Sequence, residues 1–324
     1  MIQSKRIIWI DWGRHLRSQT LSRRLEIELF EICINDSRFK RYIKSALKTI
    51  CIFRNERPGV IIATNPSIVL GFLLILLRLW YRFCLVSDAH YFGVKASNGS
   101  QVLQSLLNFY NTKVNLVIVT NASQAQALSK LGARTYICQD PLPQIQFRPE
   151  EIVLLPLKSV FFICSFDTDE PYEAAFSAFG RLQEKNFILF VSGNYRKART
   201  DLSRFPWVRF LGFLSDDQYY AYLRACSVVM DLTTSEDCLV CGAYEALSVR
   251  KPLVISKTKA LSDYFGNAVV LTDNTPDAIC ESILLAFEQR DKLSQLAKDW
   301  VITNNHYMDE RISSLRTLLQ SLDR

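Results

Sequence analysis

The stretch that decides the fold runs from Leu232 to Ser256 and reads LTTSEDCLVCGAYEALSVRKPLVIS. Before and within it, Val228 to Leu232 predicts a buried strand, Gly242 to Val249 a short helix and Leu253 to Ile255 the next strand. A strand, a helix and a second parallel strand form a βαβ unit, and its loop lies at the carboxyl end of the first strand. Ligands bind at that edge of open α/β sheets. The segment therefore predicts an α/β domain with a ligand site in this loop.

The start of the predicted helix has the chemistry of a nucleotide site. Free backbone N–H groups at Cys241, Gly242 and Ala243, together with the positive end of the helix dipole, suit a phosphate. Glu245 lies in the first turn of the helix, where its carboxylate can accept two hydrogen bonds from a ribose diol. These four residues are the predicted nucleotide-binding residues.

The two acids around the loop carry a family resemblance. Asp237, seven further residues, Glu245 with Ala246, and then Lys-Pro before a strand resemble the E-x7-E signature of the retaining GT-B glycosyltransferases of family 4. The resemblance implies that Glu245 binds the nucleotide ribose and that Asp237 contacts the donor sugar. If the loop is shifted by one residue, Glu236 has that role instead. The family's usual Gly-Phe-Gly-Leu-Pro between the acids is CLVCG here, at residues 238–242.

Two series of alternating strands and helices fill the chain. At 324 residues and 49% hydrophobic content, it is long enough for two cores. The alternation predicts a doubly wound parallel sheet in each half. The predicted strands are 6–11, 28–32, 60–63, 83–87, 116–120 and 135–138 in the first half, and 160–164, 187–191, 208–211, 228–232, 253–255 and 268–271 in the second.

A segment rich in proline separates the two series, so residues 141–157 are the predicted linker. Residues 1–140 are predicted to be a Rossmann-like acceptor domain and residues 158–305 a Rossmann-like domain that binds a nucleotide sugar. Residues 306–324 are a predicted C-terminal helix that could pack back on the N-terminal domain. The resemblance implies an α/β fold of two Rossmann-like domains facing a cleft, the GT-B fold, over nearly the whole chain.

Other loops at strand ends supply further candidates in the C-terminal half. The family usually has an Arg and a Lys after the first strand of this domain, to neutralise the diphosphate, but residues 165–170 read SFDTDE. Replacement cations could come from Arg196 or Lys197 in the sequence GNYRK that begins with Gly193 and Asn194, and the alternative is a solvated basic face. After the next strand, the backbone around Phe213 would hold the base, unless Gly212 simply ends the strand.

The turn after the first strand, DWGRHLRS at residues 11–18, lies where GT-B enzymes have a glycine-rich turn facing the donor phosphates. Gly13 is its one glycine, and Arg14, His15 and Arg17 could supply positive charge in place of the missing backbone N–H groups. The alternative is a solvated basic turn with Ser18 as a helix N-cap.

A histidine follows another strand of this half. His90 comes after Ser87-Asp88-Ala89, where family-4 enzymes have a His that approaches the donor sugar, and Asp88 could orient its imidazole. The alternative is a structural histidine. Asn65-Pro66-Ser67 could line the acceptor site or simply begin a helix.

Asp167-Thr-Asp169 has the Asp-x-Asp form with which GT-A transferases hold a metal on the donor diphosphate. We interpret the two aspartates as an N-terminal cap of the following helix, where they favour its dipole. No metal and no other cofactor is therefore expected beyond the nucleotide-sugar donor.

Positive charge is concentrated in the first half. Residues 1–150 have a net charge of +11 and residues 151–324 a net charge of −4. No nucleic-acid recognition motif accompanies the basic half, so an anionic membrane surface is the expected partner and nucleic acid is not. Residues 37–53 would form a helix with an apolar face and a basic face, near the apolar segment 68–77. The alternative is a surface helix whose apolar stripe packs on the sheet.

The location expected from the sequence is the cytoplasm. The nine cysteines are an odd number and most lie in apolar runs, which indicates reduced, buried thiols. Cys238-x-x-Cys241 has no second pair and no nearby His for a zinc site. The apolar run after Lys5-Arg6 is too short for a signal peptide, and the longest apolar stretch is half the length that a spanning helix needs.

These observations together predict a glycosyltransferase at the inner face of the membrane. It would move a sugar from UDP or GDP onto a cell-surface glycan or a lipid-linked acceptor, with retention of configuration as the resemblance implies. One alternative is a GT-B sugar-nucleotide 2-epimerase, and the other is a catalytically inactive GT-B scaffold in polysaccharide assembly.

Overall fold

A computed structural model of the protein describes residues 6–65, 67–96, 99–145 and 152–322. The chain divides into two compact units, one formed by Met1–Pro141 with His306–Arg324 and the other by Leu142–Asn305. Each unit contains a six-stranded sheet whose paired strands all run parallel. The twelve predicted strands are confirmed, with boundaries that move by at most two residues.

The sheet of the first unit has the order β2-β1-β3-β4-β5-β6. The chain steps outward from β1 in both directions, as in a doubly wound fold. Its strands are β1 (Ile7–Asp11), β2 (Glu28–Glu31), β3 (Val60–Asn65), β4 (Cys84–Ala89), β5 (Leu116–Val119) and β6 (Thr135–Ile137). Its helices are α1 (Leu16–Leu25), α2 (Arg38–Glu56), α3 (Ile68–Leu77), α4 (Tyr91–Val94), α5 (Gln101–Lys113) and α6 (Ala122–Lys130).

Successive side chains of a strand point to opposite faces of the sheet, and helices cover both faces here. In β1, Ile8 and Ile10 pack in the cluster that holds helices α2, α3 and α5. Trp9 packs on the other face, with helix α1 and the end of the long helix α12 (Arg290–Leu322). That last part of α12 contributes Met308, Ile312, Leu315 and Leu319, which follow one another at helical spacing.

The second unit repeats the plan with the strand order β12-β11-β10-β7-β8-β9. Phe161 and Phe162 of β7 point to opposite faces and enter two different core clusters. Its strands are β7 (Ser159–Phe162), β8 (Ile188–Ser192), β9 (Val208–Gly212), β10 (Val228–Asp231), β11 (Leu253–Ser256) and β12 (Val270–Thr272). Its helices are α7 (Tyr172–Leu182), α8 (Asp216–Ala225), α9 (Cys241–Ser248), α10 (Lys259–Phe265), α11 (Pro276–Glu288) and the first part of α12.

Helix α2 packs with its small polar face inward. Ser45, Thr49 and Phe53 are its buried residues, and the Thr49 hydroxyl accepts a hydrogen bond from Trp12 Nε1 at 2.9 Å. Phe39 and Leu47, on the opposite side, are 76% and 62% exposed. The alternative, in which the apolar stripe packs on the sheet, is therefore wrong for the outer part of that stripe.

Candidate functional site

The loop between β10 and α9 ends in a tightly packed helix start. A Cβ at Gly242 would lie 2.5 Å from Asp231 Oδ2 and 2.6 Å from Ile163 Cδ1, so no larger residue fits. The Gly242 N–H donates to the Asp231 carboxyl, and the Ala243 N–H donates to the Val240 carbonyl at 3.3 Å. The prediction of free N–H groups is therefore wrong at Gly242 and Ala243, because local acceptors already take both hydrogens.

Glu245 lies one turn into α9 and is held by a tyrosine. The Tyr219 hydroxyl, on α8, donates a hydrogen bond to Glu245 Oε2. Burial raises the pKa of Glu245, the bond from Tyr219 opposes that rise, and nearby Asp216 adds to it. The residue is half-buried, and Tyr219 anchors one of its two carboxylate oxygens.

Asp231 is the buried carboxyl beneath this helix. Burial raises the pKa of Asp231 well above its usual range, and the charges of Glu170 and Glu245 push it the same way. The bond from Gly242 lowers it and does not outweigh them. An acid in such surroundings stays protonated at pH values where an exposed aspartate is charged.

The loop between β7 and α7, where the resemblance would place two cations, is filled by the carboxylate of Glu170. The backbone N–H groups of Ser165 and Asp167 donate to it at 2.9 to 3.0 Å, and the Ser165 hydroxyl donates at 2.9 Å. The Cys164 thiol lies 3.3 Å away. Between these donors, Phe166 takes a left-handed conformation with φ of 61° and is held there by burial in the core. An internal anion thus occupies the backbone donors of this loop.

Asp169 joins this loop to the one after β10. Its carboxylate accepts bonds from the Thr233 hydroxyl at 3.0 Å and the Ser235 hydroxyl at 3.2 Å. The interpretation of Asp167 and Asp169 as a helix cap is wrong, because α7 has Pro171 at its N-cap and no side-chain cap bond. Asp169 instead bonds across to the neighbouring loop.

The two acids that could contact a donor sugar differ in their surroundings. Glu236 is exposed, and its Oε2 accepts a bond from the Lys259 N–H at 3.2 Å, at the first residue of α10. Asp237 is partly buried. The carboxylate of Glu236 is therefore engaged in ordering a neighbouring helix.

The loop after β8 is shaped by Gly193. Its φ is +93°, and a Cβ there would lie 1.8 Å from the Cys164 carbonyl oxygen, so the residue must be glycine. Asn194 accepts a bond from the Arg196 N–H, at 3.3 Å, and closes a short 3₁₀ turn. Arg196 and Lys197 are exposed on that turn.

One of these cations reaches the loop after β7. Lys197 Nζ lies 3.7 Å from Asp167 Oδ1, so positive charge stands beside a loop that has none of its own. Phe213, after β9, is 91% exposed.

In the first unit, three side chains gather around the carboxyl end of β1. Asp11, the last residue of the strand, is buried and accepts bonds from His15 Nδ1 and from the Ser18 hydroxyl, both at 2.7 Å. The bond with Asp11 raises the pKa of His15 against the lowering effect of burial. The alternative with Ser18 as an N-cap is wrong, because α1 begins at Leu16 and its N-cap is His15.

Arg17 is buried beside this group in an ion-pair network. Its guanidinium donates to Asp88 at 2.9 to 3.2 Å, to the carboxylate of Asp140 and to the Cys138 carbonyl at 2.9 Å. Only 4% of the residue is exposed, so the prediction that Arg17 supplies charge to a phosphate is wrong. Arg14 remains exposed, and a Cβ at Gly13 would lie 3.1 Å from His15 Cε1.

Asp88 also pairs with the histidine that follows its strand. His90 Nε2 lies 3.4 Å from Asp88 Oδ2, and the rings of His90 and His15 are 5.5 Å apart. Burial alone would raise the pKa of Asp88, but the charge of Arg17 and the nearby His90 outweigh it and lower that pKa to about 2. Asn65, at the end of β3, donates to the Gly93 carbonyl at 3.2 Å. The structure thus brings Gly13, His15 and His90 together at the carboxyl edge of the first sheet.

Sequence reasoning missed several residues of these groups. Asp231 had a signal, since it ends an otherwise apolar strand. Tyr219 and Asp140 had none, because their partners come from other elements. Glu170 had none either, although its partners lie in its own loop.

The described residues also bear on metal binding and membrane insertion. They contain no group of three or more His, Cys, Asp or Glu arranged to hold a metal ion. No helix within them has the length and apolar character needed to span a bilayer.

Comparison with known proteins agrees with this architecture. Residues 151–300 match the family model of glycosyl transferases group 1. The structure resembles a sucrose-phosphate synthase from Thermosynechococcus elongatus, with a TM-score of 0.76 at 14% identity over 98% of this chain and 100% of that one. It also resembles HepE from Anabaena in complex with UDP-glucose, with a TM-score of 0.68 at 15% identity over 96% and 100% of the chains.

A third similar structure comes from Listeria monocytogenes and is assigned as a UDP-N-acetylglucosamine 2-epimerase. Its TM-score is 0.58 at 11% identity, over 90% of this chain and 91% of that one. No curated protein matches the chain in sequence. The chain carries a glycosyltransferase group 1 domain, and its fold is that of the GT-B glycosyltransferases.

Proposed function

We propose that this protein is a family-4 glycosyltransferase that moves a sugar from a nucleotide diphosphate, UDP or GDP, to a lipid-linked or cell-surface glycan acceptor with retention of configuration. The observation that carries the proposal is the position of Glu245. It is a half-buried carboxylate one turn into α9, at the carboxyl end of β10, and Tyr219 anchors one of its oxygens. The other oxygen can accept bonds from a ribose diol inside the domain that matches the glycosyltransferase model.

Each candidate then has a part in positioning the donor. Glu245 holds the ribose, and Asp237, the first acid of the E-x7-E resemblance, contacts the sugar. Lys197 and Arg196 offer positive charge to the departing diphosphate, and the backbone near Phe213 holds the base. Catalysis by this set is positioning and stabilisation of the leaving group.

His90 is proposed to contact the donor sugar. Asp88, which lies 3.4 Å from the His90 Nε2, orients its ring. Because Asp88 is itself fixed by Arg17, the imidazole has a defined position.

A specific observation favours a second candidate function, a catalytically inactive scaffold of the same fold. Glu170 fills the backbone donors of the loop where related enzymes would hold the diphosphate by cations. A protein with this loop could keep the fold and bind no donor.

The deciding experiment is an incubation with a panel of UDP and GDP sugars, with and without polyprenyl-phosphate-linked acceptors, followed by detection of the released nucleotide. We expect release only when an acceptor is present, and we expect it to persist in excess chelator. An epimerised sugar nucleotide without acceptor would show the epimerase instead. Absence of both products and of UDP binding would show the scaffold.

We propose in addition that the enzyme works in the cytoplasm, bound to the inner face of the membrane. On α2, Lys40, Arg41, Lys44 and Lys48 accompany the exposed apolar residues Phe39 and Leu47. Each cation near an anionic leaflet contributes about 1 kcal/mol. Replacement of these four cations by Gln should release the protein from phosphatidylglycerol-containing liposomes, and parent protein that ignores such liposomes at low salt would contradict the proposal.

A further inference from the structure

We propose that the first unit binds one hydrocarbon chain of an amphiphilic acceptor in a groove between α2, α3 and α5, with the acceptor's polar head in an adjoining pocket. The assignment of this ligand as the acceptor rests on the proposed function, whereas binding of the chain does not. The apolar groove has a volume of about 490 Å³ and is lined by Trp12, Ala46, Ile68, Val69, Phe72, Leu73, Leu76 and Leu106.

The helix that forms one wall is apolar on every side. All ten residues of α3 are apolar or glycine, IVLGFLLILL, and such a helix is normally buried all round. Here only Leu70, Gly71, Leu74 and Leu77 are buried. Val69 and Leu76 are 41% and 49% exposed. The outer half of α3 therefore exposes apolar surface to water, which is unfavourable.

The opposite walls continue the same surface. Leu106 of α5 is 43% exposed, and Phe109, one turn further on, stacks on Phe72 with ring centroids 6.1 Å apart and nearly parallel planes. Beneath them, a Cβ at Gly71 would lie 2.5 Å from the Tyr110 ring, so α3 and α5 are in close contact. This contact fixes the spacing of the walls. A preformed apolar slot of this volume is in the range of small-ligand sites.

Trp12 divides the groove from a polar pocket. Its ring lines both spaces, and its Nε1 donates to Thr49 at 2.9 Å, which holds the ring in place. The polar pocket has a volume of about 470 Å³ and includes Gly13, Asn35, Arg41, Tyr42, Ser45 and Ser67. A ligand with a hydrocarbon chain on one side of Trp12 would therefore place its head beside Arg41.

Charge complementarity selects an anionic amphiphile as the occupant. Arg41 is exposed and stacks over the Tyr42 ring at 5.5 Å, and Lys48 lies further along the same helix. Lys44, between them, is paired with Asp36 at 2.7 Å. The rim therefore attracts an anionic head such as a phosphate, and the slot receives the chain attached to it. A lipid phosphate satisfies both conditions at once.

The test uses cis-parinaric acid, an anionic chain whose fluorescence increases in an apolar site, at concentrations below its micelle formation. We expect saturable binding of one molecule per chain. Leu106→Glu, which places a carboxylate on the groove wall, and Ala46→Phe, which fills the slot, should each weaken binding at least tenfold. The matched control is Val102→Glu, one turn earlier on α5, 73% exposed and not among the lining residues, and its affinity should be unchanged.

The outcomes separate this inference from the proposed function. Circular dichroism and UDP titration should be the same for the three variants and the parent. Suppose that the two groove variants bind parinaric acid more weakly but that the parent transfers no sugar. The hydrocarbon-chain site is then supported, and its role as an acceptor site is not. Transfer to a lipid-linked acceptor that Leu106→Glu and Ala46→Phe leave unchanged would overturn the inference. So would binding of parinaric acid that is equal in all variants.

Discussion

The replacement Glu245→Gln tests the proposed donor site most directly. In the structure, Glu245 Oε2 accepts the bond from Tyr219, so a glutamine could keep that bond through its carbonyl oxygen. The substitution then removes the negative charge from the hydrogen-bond acceptor that is proposed to face the ribose. A hydrogen bond to a charged group contributes about 1.5 to 3 kcal/mol, and about 1.4 kcal/mol corresponds to a factor of ten in affinity. UDP binding should weaken about ten- to a hundredfold.

The free energy of unfolding should not decrease together with the UDP affinity. Burial raises the pKa of Glu245 in the folded protein, so its contribution to stability is full below its ordinary pKa and is lost as pH rises through the folded value. At pH 8 the carboxylate is a charge that the fold disfavours. Glu245→Gln should therefore have the parent's melting temperature or a higher one, which separates lost binding from lost folding.

Calorimetric titration with UDP at pH 8 measures the effect, because a higher pH favours the ionised form of Glu245. The control is Glu281→Gln, an exposed glutamate on α11 that should leave the affinity unchanged. In the parent, binding should decline on acidification at a pH above that expected for an ordinary glutamate. UDP affinity that is equal in Glu245→Gln and the parent would refute the ribose assignment.

Three further predictions concern the neighbouring acids. Asp237→Asn should reduce turnover by a larger factor than it reduces UDP affinity, whereas Glu236→Gln should mainly lower the melting temperature; the reverse pattern in steady-state kinetics and thermal melts would exchange their roles. Asp231→Asn should raise the free energy of unfolding at pH 8 and reduce its decline above pH 4. The pKa of Asp231 is raised in the folded protein, so the contribution of this residue to stability is full below the ordinary aspartate pKa and is lost as pH rises. Urea titrations at pH 4 and 8 would show this, and an equal change at both pH values would contradict it. Glu170→Ala should strengthen UDP binding about fivefold or more, since unit charges about 4 Å apart repel by ~1 kcal/mol even in water, and weaker binding by calorimetry would mean that Glu170 supports the site.

The fold could be predicted because its strands are recognisable in the sequence as short apolar runs. Parallel strands buried on both faces are continuous apolar runs, such as Ile7 to Ile10 and Val228 to Met230, between helices of a different period. Where the observed strands are longer than the predicted ones, most of the added residues are polar. Asn65 and Ser256 extend β3 and β11 because the ladder continues past the apolar run.

The site could be predicted only where it depends on local sequence. Glu245 follows from the helix start, and His90 from the end of β4. The partners of these residues could not be foreseen, since Tyr219 reaches Glu245 across 26 positions of the chain. The anion in the β7–α7 loop is a different case, because Glu170 folds back on donors only three and five residues before it. Its sequence is equally compatible with a helix cap, and the left-handed Phe166 between the donors decides the outcome.

Helix α2 shows why an amphipathic pattern alone does not tell which face is buried. The period of Phe39, Ile43 and Leu47 is visible in the sequence, but burial depends on what the underlying sheet presents. Trp12 presents an indole N–H that needs an acceptor, and Thr49 supplies it. Once Thr49 faces inward, helical geometry turns Leu47 outward, about 200° away. The apolar face is then left exposed beside cations of the same helix, and this arrangement is the basis of the proposed contact with an anionic membrane surface.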